Sequence, residues 1–152
     1  MLKRYKPEIG TPVIMELFRH QRDTDTLATS SFTWIEATSV LARYARGGIL
    51  QPDTYRKSLG DLTQDFANSL VVQSITDRIV ADAARLAARY AVRAPDALQL
   101  AGALAALSSV PEQALIFVCA DHRLGSAAKA ARLEVLDPED PSALTSLRRF
   151  RT

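Results

Sequence analysis

Four short runs of β-branched or apolar residues, Leu27 to Ser31, Leu70 to Ser74, Leu115 to Cys119 and Leu133 to Leu136, alternate with helix-length segments along the whole chain. Alternation of extended and helical periodicity argues for an α/β sandwich with a parallel sheet. Between the runs, Thr11 to His20 predicts a short helix, Gln21 to Thr26 a polar linker, and Thr33 to Arg46 a helix stopped by Gly47-Gly48. Pro52 to Ala67 reads as a helix with one polar side, and Asp77 to Tyr90 as an alanine-rich helix with Arg85 and Arg89 outward. Pro95 to Leu107 predicts a helix with proline at its first position, and Arg123 to Arg132 another. Leu115 to Cys119 has the continuous apolar character of a buried strand.

With 152 residues, 47% of them hydrophobic, the chain suits one packed domain, with the stretch after Pro138 expected to be a loose tail ending in Arg148-Arg149-Phe150-Arg151-Thr152. Nineteen basic against seventeen acidic residues leave a net charge of +2, which excludes nucleic-acid binding through bulk charge and requires any polyanion to meet a local patch. One cysteine, Cys119, excludes an intramolecular disulfide and fits a reducing compartment. His20 and His122 do not have the spacing of a zinc site, so any metal would be held by oxygen. No stretch approaches the roughly 18 apolar residues of a membrane span, and Met1 to Pro7 lacks a signal-peptide core. The expected location is the cytoplasm.

Against this background three acids occupy unusual places: Glu36 in Trp34-Ile35-Glu36-Ala37, Asp96 in Pro95-Asp96-Ala97-Leu98-Gln99-Leu100-Ala101, and Asp121 closing Leu115-Ile116-Phe117-Val118-Cys119-Ala120-Asp121. Carboxylates are rarely buried without a partner, so two explanations compete. In the first the acids are caps: Thr33-x-x-Glu36 fits a capping box, Asp96 lies in a first helical turn, and Asp121 is an N-cap. In the second they share a cation. Glu36 lies on one helix face with Ala37, Val40, Leu41 and Tyr44, and Asp96 with Leu100, Ala103, Leu104 and Leu107, so both point toward packed surface. Asp121 follows the C-terminal end of a strand, the edge where α/β sheets form ligand crevices. Converging there, the three would repel one another unless Mg²⁺ or Mn²⁺ sat between them, and the chemistry implied is metal-assisted attack of water on a phosphodiester.

These residues resemble the PIN-domain ribonucleases, and within them the VapC-type toxins of toxin–antitoxin pairs, over nearly the whole chain. Ser31 to Ala37 is similar to the segment carrying the family's glutamate. Pro95 to Ala101 resembles its Asp-Ala-(Leu/Ile)-x-Leu-Ala block, and Phe117 to Asp121 its strand-end aspartate. The resemblance implies a PIN-like three-layer α/β/α sandwich with a mostly parallel central sheet. It implies that Glu36, Asp96 and Asp121 are catalytic members of a four-carboxylate Mg²⁺ site, hydrolysing RNA through a metal-activated water. It further implies a cognate VapB-type antitoxin whose C-terminal segment occupies the groove, and a homodimer. Leu2 to Glu8 looks like the helix that follows the family's first strand, so the fourth acid, an Asp ending that central strand, is expected to precede Met1; Glu8 and Glu16 are not assigned its role. Cys119 stands where the family often has Thr or Ser.

Arg43, Arg46, Arg93, Arg123 and Lys129 lie near the acidic edge in sequence, where they are candidates for holding phosphates; most read as solvated helix faces, and Arg93, less than a turn before Asp96, is the one assigned to RNA. Trp34 and Tyr44 read as core rather than as base-stacking groups. Two functions from different classes follow: a Mg²⁺-dependent endoribonuclease toxin, or a catalytically silent PIN-like module that binds RNA or a partner. Dinucleotide-binding and phosphoacceptor folds are excluded by the lack of a glycine-rich turn after a strand and of an acidic pair near the first strand.

Overall fold

A computed structural model of the protein describes residues 1–19, 25–109 and 115–151. The chain divides into two compact units, Met1–Ser74 and Ile75–Thr152.

In the first unit a 3₁₀ turn, Leu2–Arg4, precedes α1 (Thr11–Arg19), β1 (Ala28–Ser30), α2 (Ser31–Arg46), α3 (Pro52–Asn68) and β2 (Val71–Gln73). β1 and β2 pair in parallel, Ala28 opposite Val71 and Ser30 opposite Gln73. The connection between them must therefore cross over, and α2 and α3 make it. Ala37, Leu41 and Tyr44 recur on one face of α2, and Tyr55, Leu59, Leu62 and Phe66 on one face of α3; the two stripes meet in a core with Tyr5 and Leu50. Leu41 and Leu62 are wholly buried at 0% exposure. Trp34 packs its ring on Phe66 with centroids 4.9 Å apart. α2 stops at Gly47, and Gly48 takes the left-handed conformation (φ 70°) that a side chain would strain.

Among the described residues Asp65 is the one buried acid of this unit, at 4% exposure. Arg4 grips it with both Nε and Nη2, the latter 2.8 Å from Oδ1, and the Tyr5 hydroxyl donates to Oδ2 at 2.8 Å. The Arg4 guanidinium also lies 3.9 Å from the centroid of the Phe18 ring. One carboxylate thus ties the N-terminal turn to α3, and burial, reinforced by the bond to Asp65, pushes the Tyr5 hydroxyl far above its ordinary pKa.

The second unit contains α4 (Asp77–Tyr90), α5 (Ala94–Ser109), β3 (Ile116–Val118), α6 (His122–Ala130), β4 (Glu134–Leu136) and α7 (Ala143–Phe150). β3 and β4 are again parallel, Ile116 opposite Glu134 and Val118 opposite Leu136. α5 is apolar on two sides. Its Ala97, Ala101 and Ala105 face Ile79, Ala83 and Leu86 of α4, small residues that let the helices approach closely, while Leu100, Leu104 and Leu107 pack with Leu124, Ala127, Ala128 and Leu133. Among the described residues each strand has a single partner, and no helix is long and apolar enough to cross a membrane.

The parallel α/β expectation holds, and the helix at Asp77–Tyr90 is found with the expected ends. The strands keep only three residues each, and β3 is half-buried rather than fully covered. Thr33 does not cap α2: the helix begins two residues earlier, where extended Ser30 accepts the Phe32 N–H at its side chain, leaving Thr33 inside the first turn and Glu36 beyond it. Pro95 is the second helical residue of its helix, not the first. The stretch expected to be a loose tail carries α7, anchored by buried Ala143 and Leu147, one helical turn apart. His20, linker residues 21–24 and Thr152 lie outside the described residues.

Candidate active site

The C-terminal end of a parallel strand is where the chain turns from sheet to helix and where side chains are free to face a ligand. Asp121 stands three residues past β3 and is the N-cap of α6. Its Oδ1 accepts both the Arg123 N–H, at 2.8 Å, and the Leu124 N–H, at 2.9 Å. The cap occupies one oxygen, so Oδ2 can face outward without loss of the helix start. Cys119 hangs below: its Sγ donates to the Asp121 carbonyl at 3.4 Å, and burial pushes the thiol pKa up.

Asp96 comes from α5, the other element that reaches this edge. It is the third residue of the helix, and its carboxylate accepts the backbone N–H of Arg93, the residue just before the helix, which is half of a capping box. Despite that bond its pKa is raised above the ordinary value of 3.8: burial is the largest cause and the charge of Asp121 the next, outweighing the opposing pull of Arg93 and Arg123. The two carboxylates therefore sense one another. They line one pocket together with Arg93 and Arg123 and with Ala91 and Val92 from the α4–α5 connection. Ala91 sits in the left-handed region (φ 51°, ψ 39°) that ends α4 and turns the chain into this wall, a conformation more usual for glycine.

Of the residues expected at the site, Asp96, Asp121 and Arg93 are brought to one pocket. Glu36 belongs to the Met1–Ser74 unit, on α2 six residues past the end of β1. It thus repeats within its own unit the arrangement of an acid on a helix that leaves a parallel strand's C-terminal end. Thr29 and Thr33 join their hydroxyls at 2.9 Å at the start of that helix. Among the described residues no group of three or more His, Cys, Asp or Glu side chains is gathered as a metal site.

The Asp96–Asp121 pair nevertheless suits a small hard cation. Mg²⁺ keeps several of its waters and takes one or two carboxylates, leaving its other positions to substrate phosphate. An acid whose pKa is raised partly by its neighbour's charge gains most from such an ion. The capping and cation explanations turn out to be compatible, because each carboxylate satisfies a helix terminus and still lines the pocket.

Two features escaped the sequence reading. Asp65 is a buried, fully engaged acid whose helical position, one residue from Phe66 and three from Leu62 on the apolar stripe of α3, was the available signal. Arg123 is one of five basic candidates near the acidic edge that the sequence does not single out, although its place two residues after a strand-end aspartate carries the hint. No curated protein is similar enough to the chain to match it. A sequence model described as the PIN domain matches residues 6–130, most of the chain and parts of both units.

Proposed function

The chain belongs to the PIN-domain family, whose members are typically nucleases that use divalent metal ions, and on that premise we propose that it is a Mg²⁺-dependent endoribonuclease, the VapC-type toxin of a toxin–antitoxin pair. The observation that supports this reading is the Asp96–Asp121 pair in one pocket, with the Asp96 carboxyl titrating upward under burial and the charge of Asp121. In the proposal Asp96, Asp121 and Glu36 hold Mg²⁺, for which Mn²⁺ can substitute. The metal supplies Lewis-acid polarisation of the phosphate and a water of lowered pKa. The protein's own part is positioning. Asp121 is held by two α6 amides through one oxygen and keeps the other for the pocket. Asp96 is held by the Arg93 amide on a helix packed against α4, and the Arg93 guanidinium receives the phosphate. A cognate VapB-type antitoxin and a homodimer complete the reading, and the cytoplasm, where RNA and Mg²⁺ meet, is its place of action.

The deciding experiment is RNA cleavage by the 152-residue chain with Mg²⁺ or Mn²⁺, alongside EDTA-treated protein and the variants Asp96→Asn and Asp121→Asn. Metal-dependent cleavage lost in both variants supports the reading. RNA bound without turnover by folded wild-type protein would replace it with a catalytically silent RNA- or partner-binding module.

A further inference from the structure

The pocket contains two arginines as well as two carboxylates, and the carboxylates alone would repel any phosphodiester that approached. Arg93 comes from the α4–α5 connection and Arg123 from the first turn of α6, so the guanidiniums belong to different walls of the same pocket. Both side chains are exposed while lining the pocket that holds Asp96 and Asp121. Among the described residues neither makes an ion pair or a side-chain hydrogen bond. Arg123 is also tied to the acid it flanks: its backbone N–H donates to Asp121 Oδ1 at 2.8 Å, which fixes the root of the side chain beside that carboxylate.

We propose that Arg123 is a substrate-binding residue that, with Arg93 on the opposite wall, clamps the RNA phosphodiester over Asp96 and Asp121. The proposal rests on the nuclease reading for its substrate and deepens it by naming a second phosphate contact. The charge count supports it. Two carboxylates with one divalent cation sum to zero, and Glu36 as the third proposed ligand takes the sum to −1, so the two guanidiniums supply the positive charge that attracts and orients the phosphate. Guanidinium is the group suited to the task, because its planar fork meets two phosphate oxygens at once.

A merely structural arginine, one that only screens Asp96, would alter the titration of that acid and leave RNA binding unchanged. The test is fluorescence anisotropy of a fluorescein-labelled single-stranded RNA in EDTA, where turnover is suppressed, across a KCl series. Wild type is compared with Arg123→Ala, Arg123→Lys and Arg93→Ala. Arg78→Ala serves as a charge-matched control, since Arg78 lies at the far end of α4 from Ala91, and circular dichroism verifies folding. We expect Arg123→Ala to bind about tenfold more weakly. The slope of log K against log salt should fall in magnitude by about 0.7, the value for one single-strand phosphate contact. Arg123→Lys should keep the slope and recover part of the affinity, and Arg78→Ala should match wild type.

Unchanged affinity and slope in Arg123→Ala would overturn the clamp, as would an equal loss in Arg78→Ala or a wild-type protein that binds no RNA. Cleavage in Mg²⁺ is scored separately. A protein that never cleaves but binds RNA through Arg123 would reject the nuclease reading and keep the clamp, whereas active protein indifferent to Arg123 would do the reverse.

Discussion

Asp96 holds its proton to higher pH in the folded protein than in the unfolded chain, because burial and Asp121 both disfavour its charge. Over the window just above pH 3.8 the native state therefore binds more protons than the unfolded state, and stability falls as pH rises through it. At neutral pH the ionised carboxylate is therefore a cost to folding. Asp96→Asn, whose amide oxygen still accepts the Arg93 N–H, should raise the melting temperature of metal-free protein at pH 7 while abolishing RNA cleavage. The gain should stay below about 1 kcal/mol, since solvent screens a carboxylate this exposed; a lower melting temperature would contradict the assignment of strain to this acid. Asp65 makes the opposite case. Its charge is buried but matched by Arg4 and Tyr5, so Asp65→Ala strands a half-buried guanidinium and should cost roughly 3 kcal/mol by urea denaturation. Tyr5→Phe, which leaves the ion pair intact, should cost only about 1 kcal/mol. Equal losses would mean that the tyrosine, not the ion pair, carries the contact.

At the scale of elements, short strands and long helices divide the work. Three-residue strands bring few backbone bonds, so packing must come from the helices, and α2, α3, α4 and α5 present apolar stripes that the sequence periodicity already displayed. Helix ends were less legible. A serine and a threonine three residues apart both fit the start of α2, and the choice of Ser30 follows from where β1 releases the chain. Ser30→Ala should destabilise the protein by about 1 kcal/mol through loss of the Phe32 N–H bond. A thermal melt indistinguishable from wild type would return the cap to Thr33. The opposite end of α4 carries strain instead. Ala91 takes a left-handed conformation that costs an L-residue about 1–2 kcal/mol, of which glycine would return part to unfolded-chain entropy. Ala91→Gly should thus raise stability by about 0.5 kcal/mol, measurable as a higher urea midpoint, and by loosening the pocket wall it should weaken RNA binding.

At the scale of the whole molecule, the family match runs from residue 6 to residue 130 and crosses the division between the two compact units. Linkage then gives a bulk test of the metal proposal. An ion that binds only the native state at ten times its Kd adds about 1.4 kcal/mol, or about 3–5 °C in melting temperature for a chain of this size. Mg²⁺ should produce such a shift in wild type and none in the Asp96→Asn, Asp121→Asn double variant. A shift that survives in the double variant would place the cation elsewhere. Helix α7 shows why the C-terminal stretch resisted reading: eight residues with two apolar anchors are too few for a periodic signal, and what orders them is burial of Ala143 and Leu147.

Sequence alone determined the alternation of strand and helix, the stripes of the four long helices, the parallel sense of pairing and the identity of the acids that follow strand ends, because each is written in local periodicity or in a short motif. Tertiary structure decided which charges meet. Asp96 and Asp121 share a pocket with Arg93 and Arg123, and Asp65 is matched by Arg4 across 61 residues, because such pairings depend on long-range packing that no local pattern encodes.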